Sequence, residues 1–168
     1  MNERAPAAAA SEAAGGASGE TPRGEEMRVR PARDSDAARL AVLAGQLTYP
    51  STPEQVARRL AEMRGSADHA VFVAENAAGE VIGFAGLYVN RTVEAEARVE
   101  ISGLVVDEAA RSQGAGKRLL ERAEEWAREK GRRAIGLRSN VIRAHAHAFY
   151  ERNGYRLIKT QKSFRKEL

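Results

Sequence analysis

The chain has 168 residues, 43% of them hydrophobic, and this length suits a single domain with a complete hydrophobic core. The sequence contains no cysteine, which excludes a disulfide framework and a cysteine-based metal site. No apolar run approaches the roughly 20 residues of a membrane span, and no N-terminal stretch has the apolar core of a signal peptide. The sequence therefore predicts a soluble, cytoplasmic protein without a membrane partner.

Charge divides the chain after residue 26. Residues 1–26 carry two basic and five acidic side chains, a net charge of −3, and the remainder of the chain carries +7. The first segment is too poor in large apolar side chains to repay the entropy of ordering, so it is predicted to be a disordered N-terminal extension of a folded domain, residues 27–168. The basic residues of that domain are scattered and only 5% of the chain is aromatic, so no nucleic-acid partner is predicted.

Periodicity and turn residues predict a mixture of strands and helices from Met27 onward. The predicted elements are a strand Met27–Pro31, a helix capped by Asp34 or Ser35 and running to Leu47, a helix from Pro53 to about Arg64 capped by Thr52, strands His69–Glu75 and Val81–Asn90 joined by a hairpin turn Asn76–Gly79, a strand Arg98–Val106, a helix Leu119–Lys130, a strand Ala134–Arg138, a helix Ala144–Arg152 and a final strand or hairpin Tyr155–Lys166. The strands on either side of the Leu119–Lys130 helix are predicted to form a parallel pair, because a helical crossover joins them.

A glycine-rich stretch, Arg111-Ser112-Gln113-Gly114-Ala115-Gly116, lies between an apolar strand and an amphipathic helix. The first N–H groups of a helix have no intrahelical acceptor and lie at the positive end of its dipole, so they can bind a phosphate. The two glycines let the backbone approach such a ligand without an intervening Cβ. Arg111 and Lys117 add fixed positive charge. This order of strand, glycine turn and helix predicts an anion site.

Two better-known glycine loops do not fit this stretch. A Walker loop would need glycine where Arg111 stands and Ser or Thr where Arg118 stands, and a dinucleotide fingerprint would need glycine in place of Leu119. The pattern Arg-x-x-Gly-x-Gly resembles instead the Q/R-x-x-G-x-G/A pyrophosphate loop of the GNAT superfamily of acetyl-coenzyme A (acetyl-CoA)-dependent N-acetyltransferases. The resemblance covers about residues 27–168. It implies an α/β (α+β) fold, a mixed, mostly antiparallel seven-strand sheet flanked by helices, in which a splayed parallel strand pair forms the cofactor cleft.

Glu100 lies eleven residues before Arg111, on the strand that leads into the loop. The resemblance implies that a glutamate here acts as general base, often through water; the alternative is an ordinary exposed strand carboxylate. Gly103, in the same strand, predicts a bulge or a close backbone approach. Such a bulge would splay the parallel pair and free the backbone of Leu104–Val106 to pair with the pantetheine arm of the cofactor, as in the family.

Tyr150 is the second catalytic candidate. It lies in Ala146–Tyr155, which resembles the family signature A-x-x-F/L-Y-E-x-x-G-F/Y, and its position matches the usual general acid. Helical spacing turns Phe149 inward and Tyr150 towards the gap between the strands. A phenol with an ordinary pKa of about 10 can protonate a departing thiolate whose thiol has a pKa of about 8.5. The alternative is a tyrosine of the core.

Asn140 ends the strand before this helix, where the family often has an asparagine near the cofactor, although ten residues to Tyr150 is longer than the commonest spacing. This region and the ending Ser163-Phe164-x-Lys166-x-Leu168 are most similar to a small-amine branch that contains aminoalkylphosphonate acetyltransferases, with aminoglycoside N-acetyltransferases as neighbours. His145 and His147, two apart on a helix, point away from each other, so no metal is predicted. We expect His147 to serve in helix packing; the alternative is a residue on the substrate side.

The sequence and the resemblance together predict transfer of an acetyl group from acetyl-CoA to the primary amine of a small molecule, with Glu100 and Tyr150 as catalytic residues. The residues expected to bind acetyl-CoA are Leu104, Val105, Val106, Arg111, Ser112, Gln113, Gly114, Ala115, Gly116, Lys117 and Asn140. The alternatives are a non-catalytic acyl-CoA sensor and a protein N-terminal or lysine acetyltransferase, and a homodimer is left open. The first two helices and the Arg91–Ala95 turn shape the acceptor site in this superfamily, so the acceptor is encoded where the resemblance is weakest.

Overall fold

The computed structural model describes residues 27–168, and the predicted disordered extension, residues 1–26, lies outside the described residues. The elements in this range are β1 (Arg28–Pro31), α1 (Ala37–Gln46), α2 (Pro53–Arg64), β2 (His69–Glu75), β3 (Val81–Asn90), β4 (Arg98–Val106), α3 (Ala115–Glu129), β5 (Ile135–Leu137) and α4 (Ala144–Arg152), with 3₁₀ turns at Asp34–Asp36 and Glu108–Ala110. The strands form one sheet in the order β1-β2-β3-β4-β5, antiparallel except for the pair β4–β5.

The start of α2 follows the predicted capping pattern. Thr52 Oγ1 accepts a hydrogen bond from Gln55 N (3.3 Å), and Gln55 Oε1 accepts one from Thr52 N (3.0 Å). Pro53 occupies the first helical position, where no amide hydrogen is needed. These reciprocal bonds satisfy two amides that the helix itself cannot pair, so the prediction for this helix is confirmed.

The start of α1 differs from the prediction. Asp34–Asp36 form a 3₁₀ turn, and the α-helix begins at Ala37. Asp36 does not cap the helix with its side chain, because its carboxylate accepts hydrogen bonds from Arg30 (2.7 and 2.9 Å) and from Arg33 N (2.7 Å). Tertiary ion pairing therefore moves the helix start, and the predicted caps at Asp34 or Ser35 are wrong.

The β2–β3 hairpin forms at the predicted turn. Asn76 Oδ1 accepts hydrogen bonds from Ala78 N (3.0 Å) and Glu80 N (2.9 Å). Gly79 has φ of 77°, in the left-handed region that favours glycine. Local turn chemistry thus fixes the register of the two strands.

Strand β4 contains the bulge that Gly103 predicts. Gly86 of β3 pairs with Gly103, whereas the next residue, Leu87, pairs with Ile101. Ser102 is therefore the extra residue of β4 and has no partner on β3. The bulge lies in the middle of the strand that leads into the glycine loop.

The bulge also reverses the side-chain alternation along β4. Val99 and Ile101, before it, lie in the same core cluster as α3, and so do Leu104 and Val106 after it. Val105 instead belongs to the cluster beneath α1 and α2. An uninterrupted strand would have placed Val105 on the face of Val99.

Strand β5 runs parallel to β4 for a short distance only. The register pairs are Val99 with Ile135, Glu100 with Gly136 and Ile101 with Leu137. The strand is shorter than the predicted Ala134–Arg138, and its pairing with β4 stops where the bulge begins. Within the described residues, the backbone from residue 104 to 106 therefore pairs with β3 alone, which is the predicted splay of the parallel pair.

The sheet has one helical layer on each face. Helix α3 covers one face with its predicted apolar stripe, and α1 and α2 cover the other. The buried residues of α3 are Ala115, Leu119, Leu120, Ala123, Trp126 and Ala127. Among residues 27–168, no helix combines the length and the apolar character needed to cross a bilayer.

The predicted final strand or hairpin at Tyr155–Lys166 is wrong. Residues 155–168 have no regular secondary structure, so the described sheet has five strands and not the seven predicted. Leu157, Ile158, Phe164 and Leu168 are each at least 80% exposed. Apolar side chains can favour a strand, but a strand also requires a hydrogen-bonding partner, and no backbone hydrogen bond pairs residues 156–168 with another described strand.

A charge network joins β1, β2 and the first 3₁₀ turn. Arg30 donates to both oxygens of Asp36 and, from Nε, to Glu75 Oε1 (2.6 Å), and Arg28 also pairs with Glu75. Asp36 and Glu75 are only 7% and 3% exposed. The hydrogen bonds from Arg30 lower the pKa of both carboxyl groups.

This network should make stability depend on pH. Arg30→Met should lower the free energy of unfolding by roughly 3–5 kcal/mol at neutral pH, because it leaves two buried carboxylates without their main partner. Since the folded-state pKa values of both carboxyl groups are lowered, the stabilisation is complete above about pH 4 and is lost as the pH falls through the folded values. In urea unfolding, the difference in the free energy of unfolding between parent and variant should therefore narrow below about pH 4.

The control for this measurement is Arg64→Met. Arg64 pairs with Asp34 at 2.7 Å, but both side chains are more than half exposed, so we expect a much smaller loss than in Arg30→Met. Equal losses in the two variants would contradict the assignment of stability to the buried network.

Candidate active site

The loop before α3 presents the N-terminal end of that helix. Gly114 immediately precedes the helix with φ of 90°, and Ser112 has φ of 67°. Arg118 N donates to Gly114 O (3.1 Å) as the first amide in the helical ladder. The amides before it precede that ladder and lie at the positive end of the helix dipole. A Cβ at Gly114 would meet no atom within 4 Å, so the space beside this backbone is open.

Among residues 27–168, the two cations of the loop pair with exposed carboxylates. Arg111 pairs with Glu108 at 3.2 Å, and Lys117 pairs with Glu121 at 3.6 Å. All four side chains are more than half exposed, so these pairs contribute little to stability. Both cations can therefore turn towards an anionic ligand at low cost.

Gly116 allows α4 to pack beside the loop. A Cβ at this position would lie 3.2 Å from Phe149 Cζ and 3.7 Å from Val106 Cγ2. The missing side chain thus lets the Phe149 ring rest on the first turn of α3 and against the end of β4. Tyr150 follows directly in α4, so the structure brings together the loop, the open end of β4 and the helix of the second catalytic candidate.

Glu100 is buried and anchored through one oxygen. It is 4% exposed, which contradicts the alternative of an ordinary exposed carboxylate. Its Oε1 accepts hydrogen bonds from Arg98 Nη2 (2.7 Å) and Asn90 Nδ2 (3.5 Å), and Arg138 Nη2 lies 4.0 Å away. Oε2 faces β5, 3.5 Å from where a Cβ of Gly136 would be, and no donor of residues 27–168 contacts it. One carboxylate oxygen is thus fixed and the other is available.

The Tyr150 phenol lies at the edge of the α3 core. Its ring packs edge-on against Phe149 and tilted against Tyr155, with centroid separations of 5.4 and 5.9 Å. Burial raises the pKa of the Tyr150 hydroxyl, and the nearby positive charge of Arg143 opposes that rise. No residue of the range 27–168 forms a hydrogen bond with this hydroxyl. The phenol is therefore protonated at neutral pH and free to donate.

The C-terminal end of α1 contacts both the bulge of β4 and the residue that precedes α4. Arg143, which precedes α4, donates from Nη2 to Leu47 O (3.2 Å). Leu47 Cδ1 lies 3.5 Å from where a Cβ of Gly103 would be. The bulge of β4 therefore lies beneath the α1 terminus, and Arg143 spans from that terminus to the N-terminal end of α4.

Asn140 occupies the turn between β5 and α4. Its Oδ1 accepts a hydrogen bond from Ile142 N (3.2 Å), and its backbone oxygen accepts one from Arg143 N (3.0 Å). His147 Nε2 lies 3.0 Å from the same backbone oxygen. The observed contacts of Asn140 and His147 organise the turn, and cofactor contact by Asn140 stays a prediction. Among the described residues there is no group of three or more His, Asp or Glu side chains that could hold a metal ion.

The sequence analysis missed the polar residues that surround Glu100. Arg98 is two residues from Glu100 on the same strand, and strand periodicity places both side chains on one face. Asn90 pairs with Arg98 across β3 and β4, and Arg138 directly follows the β5 residue that pairs with Ile101. The period-two spacing could have identified Arg98, whereas Arg138 and Asn90 required the strand register.

The fold and this arrangement agree with a match to a family model. The model of the acetyltransferase (GNAT) family matches residues 38–155. The chain belongs to this family. It is accordingly an N-acetyltransferase that acts on amines, which confirms the predicted family and enzyme class.

Individual relatives agree with the family. The chain is 37% identical over 138 residues to glucosamine 6-phosphate N-acetyltransferase 1 of Oryza sativa subsp. japonica (78% of this chain, 81% of the relative). It is 32% identical over 132 residues to aminoglycoside N(6')-acetyltransferase type 1 of Stenotrophomonas maltophilia (76% and 84%). The crystal structure of glucosamine-6-phosphate N-acetyltransferase from Arabidopsis thaliana has a TM-score of 0.74 at 25% identity, covering 85% of this chain and 100% of that one.

The predicted likeness to aminoalkylphosphonate acetyltransferases is confirmed as a partial match. The enzyme of Salmonella typhimurium is 39% identical over 79 residues, which is 46% of this chain and 51% of that protein. This similarity supports membership of the family and does not identify the acceptor, because about half of each chain lies outside the aligned region.

Proposed function

We propose that this N-acetyltransferase transfers the acetyl group of acetyl-CoA to the primary amine of a small molecule by direct attack. The observation that carries the proposal is that the loop before α3, the end of β4 that has no partner on β5 and the protonated Tyr150 meet at one corner of the sheet. Glu100 precedes the bulge on the same strand, and its Oε2 accepts no hydrogen bond from residues 27–168.

The residues present suit a ligand with a diphosphate and an amide-containing arm. The amides of the loop, with Arg111, Ser112, Gln113 and Lys117, would hold the diphosphate, because helix N-termini and fixed cations both favour phosphate oxygens. The open backbone of Leu104, Val105 and Val106 would pair with the pantetheine arm like an added strand. Gly114, Ala115 and Gly116 keep the approach free of side chains, and Asn140 would contact the ligand from the turn before α4. When bound, acetyl-CoA supplies the thioester that gives up its acetyl group.

Glu100 would prepare the amine for attack. The free Oε2 accepts a proton from the ammonium group of the acceptor, through an intervening water where the ammonium does not reach it, and the neutral amine that results attacks the thioester. Arg98 and Asn90 hold Oε1 and so fix the direction of Oε2. Arg98 acts as a positioning residue, since its contacts are to Glu100.

Tyr150 would donate a proton to the departing thiolate. Burial raises the pKa of its hydroxyl, so the donor form persists through the pH range in which the amine becomes neutral. The nitrogen gives one proton to Glu100 before attack and a second to solvent as the amide forms, while sulfur gains one proton from Tyr150, so the transfer releases one net proton. Solvent restores both groups after products leave.

Calorimetric titration with acetyl-CoA tests the binding part of this proposal. The Gly114→Glu variant should weaken binding at least ~10-fold, because a carboxylate at the start of α3 repels the diphosphate. Gly131→Glu is the matched control: Gly131 also has positive φ (66°) and open space at its Cβ position. It lies beyond the other end of α3, roughly 26 Å away at 1.5 Å per residue. Both variants carry the same charge and similar backbone strain.

Only the variant at the loop should lose affinity. Failure of the parent protein to bind acetyl-CoA would overturn the proposal, and so would equal weakening in Gly114→Glu and Gly131→Glu. Unfolding curves of the two variants establish that each is folded at the temperature of the titration.

A further inference from the structure

We infer that the amine acetylated by this enzyme also carries an anionic phosphate or phosphonate group, and that Arg138 and Arg143 bind that group. The inference rests on the proposed function, because it assigns the acceptor of the same site. It follows from an imbalance of charge around Glu100.

Two guanidinium groups share the carboxylate of Glu100. Arg98 binds Oε1 at 2.7 Å and takes up its hydrogen-bonding capacity together with Asn90. Arg138 stands farther off, at 4.0 Å from Oε1, and its side chain is 74% exposed. Since Arg98 already neutralises Glu100, the charge of Arg138 remains available at the mouth of the β4–β5 pair.

Arg143 adds a third cation without a carboxylate. Its guanidinium donates to a neutral oxygen, the carbonyl of Leu47 at the end of α1. No other carboxylate of residues 27–168 lies within 4.0 Å of Arg138 or Arg143. The three arginines and Glu100 therefore give this part of the site a net charge of +2.

Arg138 and Arg143 are placed to bind the acceptor and not the diphosphate of acetyl-CoA. Arg138 directly follows β5 and lies beside Glu100, and Arg143 spans from α1 to the start of α4 near Tyr150. The anion-binding loop before α3 has its own cations in Arg111 and Lys117. Guanidinium groups bind phosphate oxygens through paired hydrogen bonds, which suits an acceptor that presents its amine to Glu100 and its anion to the arginines.

The same charge disfavours a polycationic acceptor. An aminoglycoside carries several ammonium groups, and each would approach a site with an excess of positive charge. In a small amine with a phosphate or phosphonate, the arginines attract the anionic group, and only one ammonium has to lie near Glu100. The charge of the site therefore favours phosphate- or phosphonate-bearing amines over aminoglycosides, two acceptor classes between which the sequence did not decide.

Acceptor pairs that differ in one charged group test the inference. Thiol release would be measured for glucosamine 6-phosphate against glucosamine, for a two-carbon aminoalkylphosphonate against ethylamine, and for an aminoglycoside. In the parent protein, kcat/KM should be at least ~10-fold higher for the anionic member of a pair. Arg138→Gln should reduce that ratio about tenfold. Arg128→Gln, an exposed arginine in the last turn of α3 with the same change of charge, should leave the ratio as in the parent.

The outcomes separate this inference from the proposed function. Thiol release that is as fast with glucosamine, ethylamine or the aminoglycoside as with the anionic amines would overturn the inference and leave the proposed function standing. Equal effects of Arg138→Gln and Arg128→Gln would overturn it as well. If no amine is turned over, the proposed function fails, and calorimetry with glucosamine 6-phosphate in the presence of CoA still decides the anion site: binding that Arg138→Gln weakens about tenfold supports it, and absent or unaltered binding overturns it.

Discussion

Replacing Tyr150 with phenylalanine should lower turnover by roughly 10²–10⁴-fold, the usual contribution of a positioned acid. The change removes one hydroxyl and little volume, and no described residue forms a hydrogen bond with that hydroxyl, so acetyl-CoA affinity and stability should be nearly unchanged. Because the missing group is a proton donor, a higher pH should not restore the rate. Steady-state kinetics from neutral to alkaline pH, with calorimetry for acetyl-CoA, measure these quantities.

Tyr155→Phe provides the matched control. Tyr155 packs against Tyr150 at 5.9 Å, and its hydroxyl donates to Glu124 Oε1 at 3.4 Å. Burial is the main cause of the raised pKa of the Tyr155 hydroxyl, and the negative charge of Glu124 adds to it. We expect the control to keep most of the parental turnover. Loss of the same size in both variants would show that the aromatic packing matters and that Tyr150 is not the acid.

Replacing Glu100 with glutamine should lower the rate about 10²-fold near neutral pH, since the attacking amine then loses its proton acceptor. Alkaline solution supplies neutral amine directly, so the defect should shrink as the pH rises towards the pKa of the acceptor amine. The pH–rate profile of Glu100→Gln should therefore rise more steeply than that of the parent. Such partial rescue distinguishes this variant from Tyr150→Phe.

Glu75→Gln controls for the loss of a buried charge. Glu75 is 3% exposed and pairs with Arg30 and Arg28, much as Glu100 is 4% exposed and pairs with Arg98. Both variants should lose stability in urea unfolding, but only Glu100→Gln should lose rate in a pH-dependent way. A pH-independent loss in Glu100→Gln would mean that Glu100 positions the acceptor and does not take its proton.

Local sequence patterns predicted the parts of the fold that local interactions determine. The cap at Thr52, the turn at Asn76–Gly79 and the apolar stripe of α3 each depend on residues close in the chain, and each is confirmed. Gly103 predicted the bulge because glycine weakens the interior of a strand and is typical there of bulges and close backbone contacts. Pairing between β4 and β5 stops where this bulge begins, as the prediction from Gly103 required.

Features that depend on distant partners were not predictable in this way. Asp36 is the N-cap residue of α1, but its carboxylate binds Arg30 of β1 and forms no cap hydrogen bond. The apolar residues of the segment after Tyr155 suggested a strand, but the sequence cannot show whether an edge is available to pair with it. The second arginine near Glu100, Arg138, is visible only once the register of β4 and β5 is known. The resemblance identified Glu100 and Tyr150, whereas their surroundings came from tertiary structure.

Acetyl transfer itself is tested most directly by counting both products in one experiment. The parent protein would be incubated with acetyl-CoA and a panel of small amines, and free thiol and N-acetylated amine would be quantified by mass spectrometry in the same samples. We expect one acetylated amine for each thiol released, with both yields falling together in Tyr150→Phe. Thiol released without acetylated amine, or bound acetyl-CoA without turnover on any amine, would contradict transfer to a small-molecule amine.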